Sequence, residues 1–231
     1  MPPIRLTIVD LDGTLIEANS WQYLHERLGT WDLGRAHLER YRMGGMSYEE
    51  WARLDAGLWK GVALEDVERI LGEIPVRVGA DRLIGALKTG GIRVGIVSAG
   101  LLPLAKRLAD GLGMDFCLAN DLEARGGRLT GGALVSVPLE SKGEVMRGVC
   151  DSFGVPAREC CSIGDSIHDF PTWIGLGIAV CPKEPLDSAD LAIGSDLSEA
   201  LAHIMGRPPA SPHRTSGAKG SRAASPAARE V

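Results

Sequence analysis

Three short apolar runs do most to limit what this chain can fold into: IRLTIV at 4–9, IRVGIV at 92–97 and CCSI at 160–163. Each is too short for a helix and apolar throughout rather than alternating, the pattern of a strand covered on both faces. Helical stretches separate them. Such alternation gives an α/β fold: a Rossmann-like, mostly parallel sheet with helices on both faces. Two more strands are expected at 178–181 and 191–193, with helices at 81–88, 103–112, 141–153 and 197–205. The stretch CLANDLEARGGRLTGG (117–132) is hairpin-like, with Gly126 and Gly127 as its turn.

One interval breaks the alternation. From Ser20 to Gly72, apolar residues recur at three and four through SWQYLHERL, GRAHLERY, SYEEWARLDAGLW and LEDVERIL, with no strand between them. This reads as an all-helical insert. The expected organisation is therefore a core domain of 1–16 and 73–206, an inserted helical cap of 17–72, and a tail of 207–231. The tail is rich in Pro, Ser, Ala and Gly and is expected to be disordered.

Composition excludes several classes of partner. Aromatic residues are only 5% of the chain, which argues against a base-stacking platform, and the net charge of −5 supplies no basic field for nucleic acid. From Arg207 onward five basic residues face Glu230 alone, leaving 20 basic and 29 acidic residues before it. The five cysteines, Cys117, Cys150, Cys160, Cys161 and Cys181, show no metal-ligand spacing and read as reduced core residues. No apolar stretch has the roughly 18 residues that span a membrane, and the N-terminus does not resemble a signal peptide. A cytoplasmic location without membrane contact is the default expectation. Oligomeric state is open.

In a parallel sheet, ligands bind at the carboxyl ends of the strands. The first run is followed by Asp10-Leu11-Asp12-Gly13-Thr14, the second by Ser98-Ala99-Gly100, and the third by Gly164-Asp165-Ser166-Ile167-His168-Asp169. Carboxylates gathered at one sheet edge repel one another and resist burial unless a cation joins them. An all-oxygen set favours a hard ion, Mg²⁺ or Ca²⁺. Alone, Asp-Leu-Asp-Gly is an ordinary turn sequence; its weight comes from recurring with the others in order. Ser141-Lys142-Gly143-Glu144 reads as a capping box that places Lys142 at the first helical position, beside these acids.

Together the four motifs, DLDGT at 10–14, Ser98, Lys142 and GDSIHD at 164–169, resemble the haloacid dehalogenase superfamily. Within it the chain is similar to the phosphoserine phosphatase branch, with which it shares the helical insert and the stretch at 119–132. The resemblance implies a phosphomonoester hydrolase acting on a small phosphorylated metabolite. It makes Asp10 the nucleophile that becomes an aspartyl-phosphate and Asp12 the general acid and then base. Mg²⁺ would be held by Asp10, the Asp12 carbonyl and Asp165, with Asp169 supporting. Ser98, Ala99 and Gly100 would hold phosphate oxygens, aided by the helix that follows, and Lys142 would steady the developing charge. Asp12 also favours phosphatase or phosphotransferase chemistry, since dehalogenases of the superfamily lack an acid there and transport ATPases carry threonine.

The same resemblance points to substrate handles that have changed. The branch carries a glutamate nine residues after the nucleophile, where this chain has Asn19, and a carboxylate-binding arginine where an ungapped alignment puts Asp55. Asp55 would repel a substrate carboxylate and suit an amine or a polyol; Arg53 nearby is the alternative carboxylate partner. His168 replaces an asparagine and either contacts phosphate or lies in the turn. Trp21, Trp51 and Trp59 are expected to pack the cap. Against the leading reading stand a true phosphoserine phosphatase, a phosphotransferase, and a phosphate- or metal-binding module without turnover.

Overall fold

In the computed structural model, which describes residues 2–182 and 184–206, seven strands form one sheet. The central strand is β1 (Leu6–Val9), every residue of which is buried. It is flanked by β2 (Arg93–Leu101) and β5 (Cys160–Gly164), both parallel to it. Beyond β2 lie β3 (Phe116–Arg125) and β4 (Arg128–Leu134); beyond β5 lie β6 (Leu176–Val180) and β7 (Leu191–Ile193). Only β3 and β4 pair antiparallel. They form the expected hairpin: Gly126 and Gly127 both take positive φ (57° and 74°), as its two-residue turn demands.

The insert consists of α1 (Ser20–Arg27), α2 (Trp31–Arg42), α3 (Tyr48–Gly57) and α4 (Leu64–Gly72). The remaining helices are α5 (Ala80–Thr89), α6 (Leu102–Leu112), α7 (Lys142–Ser152) and α8 (Ala200–Met205). Pro103 lies in the first turn of α6, and Gly113 closes that helix in the left-handed conformation.

Side chains alternate across β1. Val9 joins the large cluster with Ile96, Leu101, Trp21, Trp51, Trp59 and Val67, whereas Leu6 and Ile8 join Val97, Met146 and Val149 on the opposite face. The first cluster runs unbroken from the sheet into the insert, so the two share one core. Trp59 is fully buried there; burying a large apolar side chain contributes roughly 1.5–3 kcal/mol.

Three expectations change in detail. β2 does not stop at Val97 but runs to Leu101 past a register shift, so Ser98–Gly100 belong to a bulged strand end rather than a loop. Ser141 makes no side-chain cap, although α7 does begin at Lys142; the capping box forms instead between Ser166 and Asp169. All five cysteines are free, but Cys181 is exposed, not core: it ends β6 at φ 42°. The expected disordered tail at 207–231 lies outside the described residues. No described helix is long and apolar enough to cross a membrane.

Candidate active site

Strand register assembles the first part of the site. Val9 stands opposite Ile96 on β2 and Ile163 on β5. Asp10, Ser98 and Asp165 therefore emerge at the same edge of three adjacent parallel strands. The Asp10 backbone N–H donates to Ile163 O at 2.9 Å, fixing the exit of β1.

Lys142 reaches this edge from the first residue of α7. Its Nζ lies 2.5 Å from both Asp10 Oδ1 and Asp169 Oδ1, and all three side chains are buried. Burial alone would lower the lysine pKa, but the two carboxylates hold it above its ordinary value. Burial pushes the Asp10 carboxyl up to about 6 despite Lys142. Asp169 is fully engaged. Its Oδ2 accepts from the Asp165 and Ser166 N–H groups (3.1 and 2.9 Å) and from Ser166 Oγ (2.9 Å). It thus orients Lys142 and the turn after β5.

Asp12 sits apart from that cluster. Its Oδ2 accepts from Ser20 Oγ at 2.9 Å, and the same hydroxyl accepts from the Leu101 N–H at 3.0 Å. Its Oδ1 is buried without a hydrogen-bond partner among the described residues. Burial, and then the charge of Asp10, push the Asp12 carboxyl up to about 7. A carboxylate of this kind stands close to half-protonated at neutral pH, as an acid that later acts as a base must.

Two glycines allow the loops to converge. Gly13 takes φ 76°, and a Cβ there would fall 2.1 Å from Asp165 Oδ2. A Cβ on Gly100 would lie 3.0 Å from both Asp12 oxygens. Beside Gly100, Ser98 is buried and its Oγ accepts from the Gly100 N–H at 3.1 Å.

Asp10, Asp165 and Asp169 each bring a carboxylate oxygen within 4.8 Å of the others. Because Lys142 and the backbone claim Asp169, the carboxylates left for a cation are Asp10 and Asp165. Asp165 opens onto the cavity, yet burial and the charge of Asp10 push it up to about 7; water at its open side tempers that rise. Two carboxylates that resist ionisation and an oxygen-only donor set fit a hard divalent ion.

Arg77 was not singled out in the sequence. Its buried guanidinium donates to Thr14 O (2.7 Å) and Gly13 O (2.8 Å) and pairs with Glu17 at 3.2 Å, while its backbone N–H donates to Leu15 O (2.8 Å). Arg77 follows the helices of the insert and these partners precede them, so one residue ties both chain crossings to the loop after Asp10. Asn120 was likewise unassigned. Its Nδ2, with two N–H to give, lies 2.9 Å from Ala99 O, 3.1 Å from Tyr48 Oη and 3.0 Å from Val137 O, and its Oδ1 accepts from the Ser136 and Val137 N–H groups. Tyr48 Oη and Trp21 Nε1 also donate to Ala99 O, at 2.6 and 3.1 Å. The signal for Asn120 was a lone amide within an otherwise strand-like stretch; Arg77 left no signal.

A cavity of about 930 Å³ opens from these residues into the insert. His168 borders it. So does Asn19, which also caps α1 by accepting from the Gln22 N–H at 3.0 Å. Asp55 lies at the cavity's floor, buried, and each oxygen faces a histidine: Oδ1 is 2.7 Å from His37 Nδ1, and Oδ2 is 3.0 Å from His25 Nε2, off the line of a hydrogen bond. Arg53 is exposed and does not border the cavity. Trp21, Trp51 and Trp59 are buried in the insert, as expected.

Residues 7–173 match the family model of the haloacid dehalogenase-like hydrolases. The chain is 32% identical over 210 residues to a phosphoserine phosphatase of Archaeoglobus fulgidus, covering 88% of this chain and 60% of that protein. It is 29% identical over 205 residues to the phosphoserine phosphatase of Methanocaldococcus jannaschii, covering 87% and 97%. Among solved structures it resembles a substrate-bound phosphoserine phosphatase complex (TM-score 0.77, 27% identity, 88% and 100% of the two chains). A phospho-aspartyl intermediate analogue of phosphoserine phosphatase matches similarly (TM-score 0.76, 28% identity, 87% and 99%). With its motifs on neighbouring strand ends and these matches along most of its length, the chain belongs to the haloacid dehalogenase-like hydrolases and is phosphoserine phosphatase-like within them.

Proposed function

We propose that this chain is a magnesium-dependent phosphomonoester hydrolase acting on a small phosphorylated metabolite through an aspartyl-phosphate at Asp10. The observation that carries the reading is the contrast between two neighbouring carboxyls. Asp10 is held by Lys142 at 2.5 Å, whereas Asp12 keeps one buried oxygen without a hydrogen-bond partner among the described residues. A nucleophile and a proton donor at spacing two need that difference.

In the first step an Asp10 oxygen attacks phosphorus, the ester P–O bond breaks, and Asp12 gives its proton to the departing alcohol oxygen. In the second, Asp12 takes a proton from water, the water oxygen attacks phosphorus, and Asp10 is released with inorganic phosphate. Lys142 neutralises charge that builds near Asp10, and Ser98 with the backbone at Ala99 and Gly100 receives the phosphate oxygens. Asp10, Asp165 and the Asp12 carbonyl would hold Mg²⁺, which when bound draws off charge from the phosphoryl group.

The test is Asp10→Asn. It should lower metal-dependent phosphate release by on the order of 10³-fold or more and abolish acid-stable labelling of the protein by a phosphorylated substrate. Retained turnover would refute the mechanism. A second reading, hydrolysis of phosphoserine itself, is favoured by the names of the relatives and is decided by assaying that ester directly.

A further inference from the structure

The aromatic side chains of this chain are few but concentrated. All three tyrosines (Tyr23, Tyr41, Tyr48) and three of the five tryptophans (Trp21, Trp31, Trp51) line the one cavity that holds Asp10 and Asp12, and none of the three phenylalanines does. The rings form a connected wall. Trp21 and Trp51 lie 4.9 Å apart, Tyr41 stacks on Trp51 at 5.8 Å, and Tyr48 meets Tyr41 edge-on at 5.8 Å.

Charge beyond the reaction centre is mostly negative. Glu17, Glu26, Asp55 and Glu140 border the cavity there, against Arg42 as the single arginine or lysine, and Arg42 is exposed at the end of α2. Arg77 partly offsets Glu17, and Tyr41 donates to Glu140. The buried floor carries Asp55 with its two histidines and no guanidinium. Ring faces backed by carboxylates attract cations, through the negative face of each ring, and resist anions.

We infer that the leaving alcohol of the substrate carries an ammonium or quaternary ammonium group and no carboxylate. This rests on the phosphatase reading, and it narrows that reading to amino-alcohol phosphomonoesters. The Tyr and Trp faces hold the cation; the acidic floor and rim disfavour an amino-acid ester.

Steady-state kinetics on five esters would test it: phosphocholine, phosphoethanolamine, phosphoserine, 3,3-dimethylbutyl phosphate as the uncharged shape-mimic of phosphocholine, and p-nitrophenyl phosphate. One of the two ammonium esters should exceed both phosphoserine and the uncharged mimic by about ten-fold or more in kcat/KM, the scale of a desolvated cation–ring contact. Tyr41→Leu, at a partly exposed position that tolerates truncation, should shrink the preference for the ammonium ester over its mimic. Phosphoserine at or above both ammonium esters would overturn the inference, as would use of the uncharged mimic equal to that of the better ammonium ester. Turnover of none of the five esters would instead refute the phosphatase reading itself.

Discussion

Asp10 and Asp12 are two residues apart and chemically unlike because of what touches them. Lys142 stabilises the charged form of Asp10, whereas the main charge felt by Asp12 is that of Asp10, which stabilises its neutral form. Ser20 opposes that shift by donating to Asp12 Oδ2. Ser20→Ala removes the donor, so the Asp12 pKa should rise further above 7. The acid then stays protonated to higher pH, and the alkaline limb of the kcat/KM profile should move upward, with kcat lowered several-fold. An unmoved limb would mean that Asp12 does not set it. Asp10, Asp12, Ser98 and Asp165 could be read from sequence because each follows closely on an apolar run. Ser20 could not, since a helix-start serine looks the same whether it faces water or an acid.

Arg77 acts between elements. It leaves α4 behind and binds the carbonyls of Gly13, Thr14 and Leu15, so the segment returning from the insert grips the loop after Asp10. Arg77→Met would leave buried carbonyls without donors, at a cost on the order of 3 kcal/mol. For a chain of this size that lowers Tm by roughly 6–12 °C, and kcat should fall as the loop loosens. Glu17→Gln is the matched control. Its side chain is 73% exposed, so losing that ion pair should cost little stability. Equal Tm losses in the two variants would show that the carbonyl contacts are unimportant. The helices and strands themselves were legible from their periodicity and glycines. The extended β2 was not, because small residues at 98–100 resemble a turn until β3 pairs on either side of them, with Val97 and Leu101.

At the scale of the molecule, three carboxyls near one sheet edge have folded-state pKa values of about 6, 7 and 7, against 3.8 for the free group. A raised acid pKa means that the metal-free fold is unpenalised below about pH 4 and loses stability as pH climbs through 6 to 7. A bound divalent cation offsets that loss and must compete with protons at low pH. The rise in Tm on replacing EDTA with millimolar MgCl₂ should therefore be larger at pH 8 than at pH 5. An equal or reversed difference would place the stabilising cation elsewhere.

The sequence alone determined the sheet and which acidic and small residues gather at its edge, because Asp10, Ser98 and Asp165 follow from local apolar patterning and chain order. Only the tertiary structure decided what surrounds them. Asp55 reads as an open carboxylate in the sequence but meets His25 and His37 in the fold. Residues as scattered as Trp21, Tyr41 and Trp51 become one wall. Such contacts join residues far apart along the chain, and no periodicity records them; they exist only once the insert packs against the sheet and shares its core.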